Sequence, residues 1–72
     1  MTKKDIRQFV AGRIKEIRSS KSMTQTELAK LSGLNRSYLA DIEMGNRNFG
    51  SDTLEKVLCG LGINYSDFFS GR

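Results

Sequence analysis

The chain has 72 residues, no histidine, no proline, one cysteine and a net charge of +4, with +6 on residues 1–36 (nine basic, three acidic) and −2 on residues 37–72 (three basic, five acidic). This length predicts one domain over residues 1–72, small enough to favour oligomerisation, and the composition excludes an internal disulfide, a zinc site, a signal peptide and a membrane span. We therefore expect a cytoplasmic, mostly helical protein without a cofactor, whose basic half either binds a polyanion or is a solvated helix face.

The first predicted element is a long amphipathic helix from Lys3 to Ser20. Its apolar residues fall on one stripe at helical spacing, namely Ile6, Phe9, Val10, Ile14 and Ile17. Lysines and arginines occupy the rest of its surface, where some can approach phosphates and most are solvated. Gly12 interrupts the pattern at a cost of about 1 kcal/mol relative to alanine, and we interpret it as a point of close packing.

Two short helices are predicted between Met23 and Gly45. Thr24 and Glu27 have the spacing of a capping box, in which each side chain accepts a hydrogen bond from the other residue's amide, so the first of these helices begins at Thr24. Asn35 predicts a second cap eleven residues later. Such closely spaced caps predict a helix-turn-helix, although an ordinary helical hairpin has the same caps.

Apolar pairs flank both caps at the spacing of hydrophobic staples, Met23 with Leu28 and Leu34 with Leu39. Gly33 lies between the two helices, where a turn with positive φ is least costly for a residue without Cβ. The second helix buries Leu39 and Ile42 on one side. An arginine, a serine, an alanine and an aspartate are left near its exposed side, at Arg36, Ser37, Ala40 and Asp41.

Gly45 ends this helix and opens a loop to Gly50, from which Phe49 returns to the core. Ser51 or Asp52 is expected to cap a fourth helix. Its apolar positions keep helical spacing, at Leu54, Val57, Leu58 and Leu61. A fifth, short helix is predicted from about Asn64 to Phe69, ended by Gly71.

These residues resemble the lambda-repressor and Cro-like (XRE-type) helix-turn-helix DNA-binding proteins. The resemblance covers roughly Phe9 to Phe69 and is most specific in MTQTELAKLSGL, NRSYLADIE and MGNRN. Within the family, the short length and RSYLADIEMGNRN are most similar to the controller proteins of restriction-modification systems, which regulate their own operon. The resemblance implies an all-α, compact five-helix domain of the lambda-repressor type, with a recognition helix at Asn35 to Glu43 in the major groove.

Base contacts are predicted from four residues of the recognition helix, Arg36, Ser37, Asn35 and Asp41. Arg36 can donate two hydrogen bonds to guanine O6 and N7, the commonest specific pairing in the major groove. Ser37 adds a weaker bond to a base or a phosphate. Asp41 either accepts from cytosine N4, repels phosphates or fixes the position of Arg36.

Backbone contacts are predicted first from Gln25, because the N-terminus of a helix offers unpaired amides to a phosphate. The family resemblance extends this role to the recognition helix and the loop after it, at Tyr38, Asn46, Arg47 and Asn48. For Tyr38, a half-buried core position fits the sequence almost equally well.

The last two helices carry more large apolar groups than one small core obviously needs. They close the core, or some of them face a second copy of the chain, and the resemblance favours such a dimer surface for Val57, Ile63, Tyr65, Phe68 and Phe69. The expected partners are therefore double-stranded DNA with a palindromic operator and a second copy. No small-molecule ligand is expected.

The predicted function is transcription regulation by sequence-specific DNA binding. If the protein activates transcription, Asp41 or Glu43 is the expected contact to RNA polymerase. A protein-interaction module, such as a toxin-neutralising antitoxin with an acidic docking half, is the alternative. An enzyme is not expected, because the carboxylates are scattered and the chain lacks histidine, a nucleophile set and phosphate-binding glycine motifs.

Overall fold

The computed structural model describes residues 6–70, so the helix start predicted at Lys3 and the stop predicted at Gly71 lie outside the described residues. Five α-helices follow one another, and no strand occurs, in this part of the chain: α1 (Ile6–Ser20), α2 (Gln25–Ser32), α3 (Arg36–Glu43), α4 (Ser51–Leu61) and α5 (Tyr65–Ser70). Within residues 6–70, none of these helices is long and apolar enough to cross a membrane. The predicted all-α, five-helix architecture is confirmed.

The caps place α2 and α3 as the sequence predicts. The Glu27 amide donates to Thr24 Oγ1 at 3.0 Å, and the Thr24 amide donates to Glu27 Oε1 at 2.8 Å. Gly33 ends α2 with φ of +69°, and Asn35 Oδ1 accepts from two amides of the first turn of α3, at 2.8 and 3.3 Å. These local interactions form the helix-turn-helix, in which a two-residue turn joins the end of α2 to the cap of α3.

Every helix contributes to a single hydrophobic core. The buried apolar residues are Val10, Ala11, Ile14 and Ile17 of α1, Leu28 and Ala29 of α2, Leu39 and Ile42 of α3, Val57, Leu58 and Leu61 of α4, and Phe68 of α5. Burying a side chain of the leucine class contributes about 1.5–3 kcal/mol, so Leu39 and Ile42 fix α3 to the rest of the domain. The opposite side of α3 remains exposed.

Two sequence-based expectations about the helices are wrong. Gly12 lies on the exposed side of α1, and a Cβ there would have no atom within 4 Å, so close packing does not explain it. The N-cap of α4 is Gly50, without a side-chain hydrogen bond, rather than Ser51 or Asp52. Both polar residues lie instead in the first turn, where the negative charge of Asp52 interacts favourably with the positive end of the helix dipole.

Gly12→Ala is expected to raise the free energy of unfolding by about 0.5–1 kcal/mol, because alanine is the better helix former and nothing obstructs its methyl group. Urea unfolding of the variant beside the wild type measures the change. Gly33→Ala is the matched control, and it should destabilise because its φ of +69° lies in the left-handed region. A destabilised Gly12→Ala protein would contradict this account.

The close crossing of two helices lies at Gly60 of α4, not at Gly12. A Cβ on Gly60 would overlap Ser32 Oγ and would lie 3.1 Å from Leu28 Cδ1 and 3.2 Å from the Ser32 nitrogen of α2. The Ser32 hydroxyl is buried and makes no hydrogen bond among the described residues. The α2–α4 contact thus requires the absence of a side chain at Gly60, and it leaves the Ser32 hydroxyl buried without a hydrogen bond.

Gly60→Ala is expected to lower the free energy of unfolding by about 1–3 kcal/mol, the usual cost of overpacking. Ser32→Ala alone should be neutral or stabilising, because it removes a buried hydroxyl without a partner. In the double variant the cost of Gly60→Ala should shrink, since the overlapping oxygen is gone. Urea unfolding of the four proteins gives the coupling, and strictly additive changes would show that the two positions do not touch.

Candidate nucleic-acid interface

The exposed side of α3 carries polar side chains that reach solvent. Arg36 and Ser37 in its first turn are exposed, and Asp41 is half-buried. Ser37 and Asp41 are four residues apart and therefore lie on the same side of the helix. This side is opposite the one that Leu39 and Ile42 bury in the core, so the structure places Ser37 and Asp41 on one outward face, with Arg36 exposed at the start of the helix.

A chain of hydrogen bonds orients Arg36. Its Nη1 donates to Gln25 Oε1 at 3.2 Å, and Gln25 Nε2 donates to Glu43 Oε1 at 3.0 Å. Because a carboxylate only accepts hydrogen bonds, Glu43 fixes the Gln25 amide with its oxygen towards Arg36. The expectation that Asp41 fixes Arg36 is therefore wrong, since Gln25 of α2 does so.

The Glu43 end of this chain is a buried ion pair with Arg18 of α1. Arg18 Nε and Nη2 each donate to one carboxylate oxygen at 2.9 Å, and Arg18 Nη1 donates to the Met23 carbonyl oxygen at 3.0 Å. Glu43 is only 2% exposed, so the prediction that it contacts RNA polymerase is wrong. Sequence reasoning missed this pair, although Glu43, four residues after Leu39, falls on the buried side of α3 and requires a partner there.

The loop after α3 places Arg47 against the recognition helix. Arg47 Nη1 lies 3.2 Å from Asp41 Oδ2, and the guanidinium carbon lies 4.8 Å from the centre of the Tyr38 ring. Tyr38 is half-buried, and its hydroxyl is 3.5 Å from Thr53 Oγ1 of α4. We call these three side chains the Asp41–Arg47–Tyr38 cluster. In this cluster the charge of Arg47 is paired with that of Asp41 at the edge of the outward face of α3.

The other predicted contact residues surround this face. Asn46 is exposed, and Asn48 Oδ1 accepts a hydrogen bond from Arg7 Nη1 of α1 at 3.1 Å. The side-chain Oδ1 of Asn35 accepts the hydrogen bonds of the α3 cap, so the side-chain amide nitrogen takes no part in the cap. Met44, three positions after Asp41, is a large apolar residue that is exposed on the same side of the helix.

The residues predicted to face a second copy divide into two sets. Val57 and Phe68 are 1% and 0% exposed within a single chain, so they belong to the core of the protomer and offer no surface. Ile63 is half-buried, whereas Tyr65 and Phe69 are 56% and 42% exposed. The predicted set is therefore corrected to Ile63, Tyr65 and Phe69, because a buried side chain cannot meet a partner.

Helix α1 extends this apolar surface, which sequence reasoning did not anticipate. The ring of Phe9 stacks on Phe69 with centroids 5.8 Å apart and planes 10° apart. Arg13 fixes α5 to α1 by donating from Nε to the Phe68 carbonyl at 2.6 Å and from Nη2 to the Asp67 carbonyl at 2.8 Å. We call Phe9, Tyr65 and Phe69 the aromatic patch.

The hydroxyl of Tyr65 donates to Glu55 Oε2 at 3.2 Å. This hydrogen bond, together with the negative charge of Glu55, raises the pKa of the Tyr65 phenol above its usual value of 10.0. The phenol adds a polar group to the aromatic patch.

The capped helices α2 and α3, joined by a two-residue turn, form a helix-turn-helix with Arg36 exposed in the first turn of its second helix. A family model described as helix-turn-helix matches residues 14–68. The chain belongs to this family. The predicted resemblance to helix-turn-helix DNA-binding proteins is thereby confirmed.

Curated relatives include two control proteins and a phage repressor. The chain is 41% identical over 64 residues to control protein C.BamHI of Bacillus amyloliquefaciens, covering 88% of this chain and 79% of that protein. With C.MunI of Mycoplasma sp the identity is 37%, covering 92% and 90%. The immunity repressor protein of Bacillus phage phi105 is 49% identical over 79% of this chain, which spans only 40% of that repressor.

Solved structures give the same relationship. The wild-type restriction-modification controller protein C.Esp1396I superposes with a TM-score of 0.89 at 37% identity, covering 94% of this chain and 90% of that one. Other structures of C.Esp1396I contain a 19 base pair DNA duplex, and a tetramer with its natural 35 base pair operator. The predicted similarity to controller proteins is confirmed.

Proposed function

We propose that this protein is a sequence-specific DNA-binding transcription regulator. It would control the restriction-modification operon that contains its own gene. The observation that carries the proposal is the exposed Arg36 at the start of α3, oriented by Gln25 at 3.2 Å. An arginine whose position is set before binding loses less side-chain freedom when it meets guanine O6 and N7. The similarity to C.BamHI and C.MunI supports the operon context.

The proposed complex has α3 in the major groove with Arg36 and Ser37 at base edges. Asn35 and Asp41 complete the base-facing set, and Gln25 approaches a phosphate at the start of α2, where unpaired amides add to the attraction. The loop after α3 is proposed to bind the backbone through Asn46, Arg47 and Asn48, with Tyr38 stacked beneath Arg47. Arg47 neutralises a phosphate, and the basic residues of the first half of the chain add to the attraction, so the affinity should fall as the salt concentration rises.

We propose that the protein binds as a two-fold dimer through the aromatic patch and Ile63. The exposed large apolar side chains of residues 6–70 support this, since most of them lie on α5 and the start of α1, as Ile6, Phe9, Tyr65 and Phe69. A dimer presents two Arg36 side chains to symmetric half-sites roughly 34 Å apart. Doubling the contacts makes occupancy depend steeply on protein concentration.

A contact with RNA polymerase remains part of the proposal for the activating mode. Because Glu43 is buried, Asp41 is the acidic residue of α3 that could make this contact, and it could do so only if it lay outside the groove instead of facing a base. The proposed binding to operator DNA implies a cytoplasmic location.

Selection of bound duplexes from a random pool tests the proposed function. The expected result is an inverted repeat with a guanine in each half, bound with an affinity that falls steeply with salt. A protein that recovers no preferred sequence, or that binds a partner protein without salt dependence, would contradict the regulator assignment. The same selected duplex then serves the measurements below.

Phe69→Ser is expected to convert the dimer to a monomer at micromolar concentration, because it removes the ring that stacks on Phe9 and forms the centre of the aromatic patch. Sedimentation measures the mass, and operator titration should lose its steep concentration dependence. Leu31→Ser is the matched control, since Leu31 is 63% exposed on α2, away from the patch. An unchanged dimer in Phe69→Ser would exclude the aromatic patch as the interface.

A further inference from the structure

In the Asp41–Arg47–Tyr38 cluster, the Arg47 guanidinium can pair with the Asp41 carboxylate or with a DNA phosphate. In the protein alone, Arg47 is 3.2 Å from Asp41 and lies over the Tyr38 ring. The side chain of Asp41 is 49% exposed and that of Arg47 is 52% exposed. An exposed ion pair contributes little to stability, so Arg47 can leave Asp41 without disturbing α3.

The two members of the pair lie in different parts of the interface. Asp41 shares the outward face of α3 with Ser37, opposite Leu39 in the core. With α3 in the major groove, Asp41 faces base edges, whereas Arg47 lies in the loop that borders the helix and faces the backbone. The ion pair therefore joins a position that reads bases to a position that binds phosphate.

We propose that Asp41 is a specificity-determining residue that acts through Arg47, an inference that rests on the proposed function. Where the duplex presents a cytosine N4 amino group, Asp41 accepts its hydrogen bond. Arg47 then leaves Asp41 and binds a phosphate. Both charges keep a partner in this exchange.

A duplex without that amino group gives Asp41 no donor in the groove. Releasing Arg47 would leave the carboxylate unpaired in a field of phosphates, which is unfavourable. Arg47 therefore stays on Asp41, and the protein forgoes a phosphate contact. The contact between Arg47 and a phosphate therefore forms only on a matching sequence. A phosphate contact, which by itself reads no base, thus contributes to specificity.

The test compares two duplexes and five proteins. The duplexes are the sequence selected by the wild-type chain and a scrambled duplex of the same length and composition. The proteins are the wild type, Asp41→Asn, Arg47→Gln, the double variant and Asp52→Asn. The last is a matched control, because it removes the same charge from an exposed residue of α4. Fluorescence anisotropy at several salt concentrations gives each affinity and its salt dependence.

Asp41→Asn is expected to strengthen binding to the scrambled duplex by about threefold per protomer, the size of a released exposed ion pair. The salt dependence on that duplex should steepen by about one ion per protomer, since Arg47 now meets a phosphate. The selected duplex should gain less or lose affinity, so the ratio of the two affinities falls. In the Arg47→Gln background, Asp41→Asn should leave the salt dependence on the scrambled duplex unchanged, because no cation is released, and any gain in affinity there comes from the loss of an unpaired carboxylate.

An equal steepening of the salt dependence in both backgrounds would mean that Asp41 only repels phosphates, and it would overturn the proposal. Equal changes on the two duplexes, or an equal loss of discrimination in Asp52→Asn, would overturn it as well. In each of these cases the proposed function stands, provided that the wild type prefers its selected duplex. A wild type with no preference would overturn the proposed function itself.

Discussion

Glu43→Ala is expected to lower the free energy of unfolding by about 3–5 kcal/mol, the largest stability change predicted for this domain. The substitution removes a carboxylate that is 2% exposed and leaves the Arg18 guanidinium without the two hydrogen bonds of 2.9 Å that it donates. A charge in such a position needs a partner, because burial takes it out of water. A domain of this size has little stability in reserve, so much of the variant should be unfolded.

Urea unfolding at fixed protein concentration measures this loss. Arg18→Met with Glu43→Leu is expected to recover most of it, because apolar groups of similar volume replace a buried pair at little cost. Asp41→Ala is the matched control, since its ion pair with Arg47 is exposed and should change stability by less than about 1 kcal/mol. A similar loss in Glu43→Ala and Asp41→Ala would show that the burial of the Arg18 pair is unimportant.

The buried pair also bears on DNA binding, because it fixes Gln25 and hence Arg36. The double apolar variant removes the carboxylate that orients the Gln25 amide while it retains the fold. If Gln25 positions Arg36 in this way, the variant should bind scrambled DNA normally and discriminate its operator less well. The two functions of Glu43, stability and positioning, are thereby separated.

Arg36→Ala is expected to produce the largest loss of sequence discrimination, about 1–3 kcal/mol at the guanine of each half-site. The guanidinium is exposed and donates to Gln25 at 3.2 Å, so its removal should leave the core and the caps intact. Anisotropy titration of the selected duplex, beside one with that guanine replaced, measures the difference. Because a dimer carries two copies, the operator affinity falls by twice the free energy lost at one half-site.

Arg36→Lys separates charge from hydrogen-bond geometry. Lysine retains the positive charge but cannot form the planar pair of hydrogen bonds to guanine, so the salt dependence should persist while the discrimination falls. Lys56→Ala, at an exposed position of α4, is the control for a lost cation away from α3. An Arg36→Ala protein that folds normally and still discriminates the guanine fully would remove Arg36 from the base-reading set.

The amino-acid sequence by itself determined the helices and the turn between α2 and α3. Thr24, Glu27 and Asn35 cap helices through hydrogen bonds that span only two or three residues, so their spacing along the chain is their spacing in space. The same holds for Gly33, whose φ of +69° follows from a tight turn. The outward position of Arg36 followed from the spacing of Leu39 and Ile42.

Only the tertiary structure decided which side chains meet across helices. The partner of Glu43 is Arg18, 25 residues away, and that of Asp41 is Arg47 in a loop. The close packing of Gly60 on α2 and the burial of Phe68 in the core also depend on contacts between helices. Such pairings depend on the distance and angle at which helices cross, and these are set by how all the buried side chains fill one volume together. Helical periodicity assigns each residue a side of its own helix, but it carries no information about the neighbour on that side.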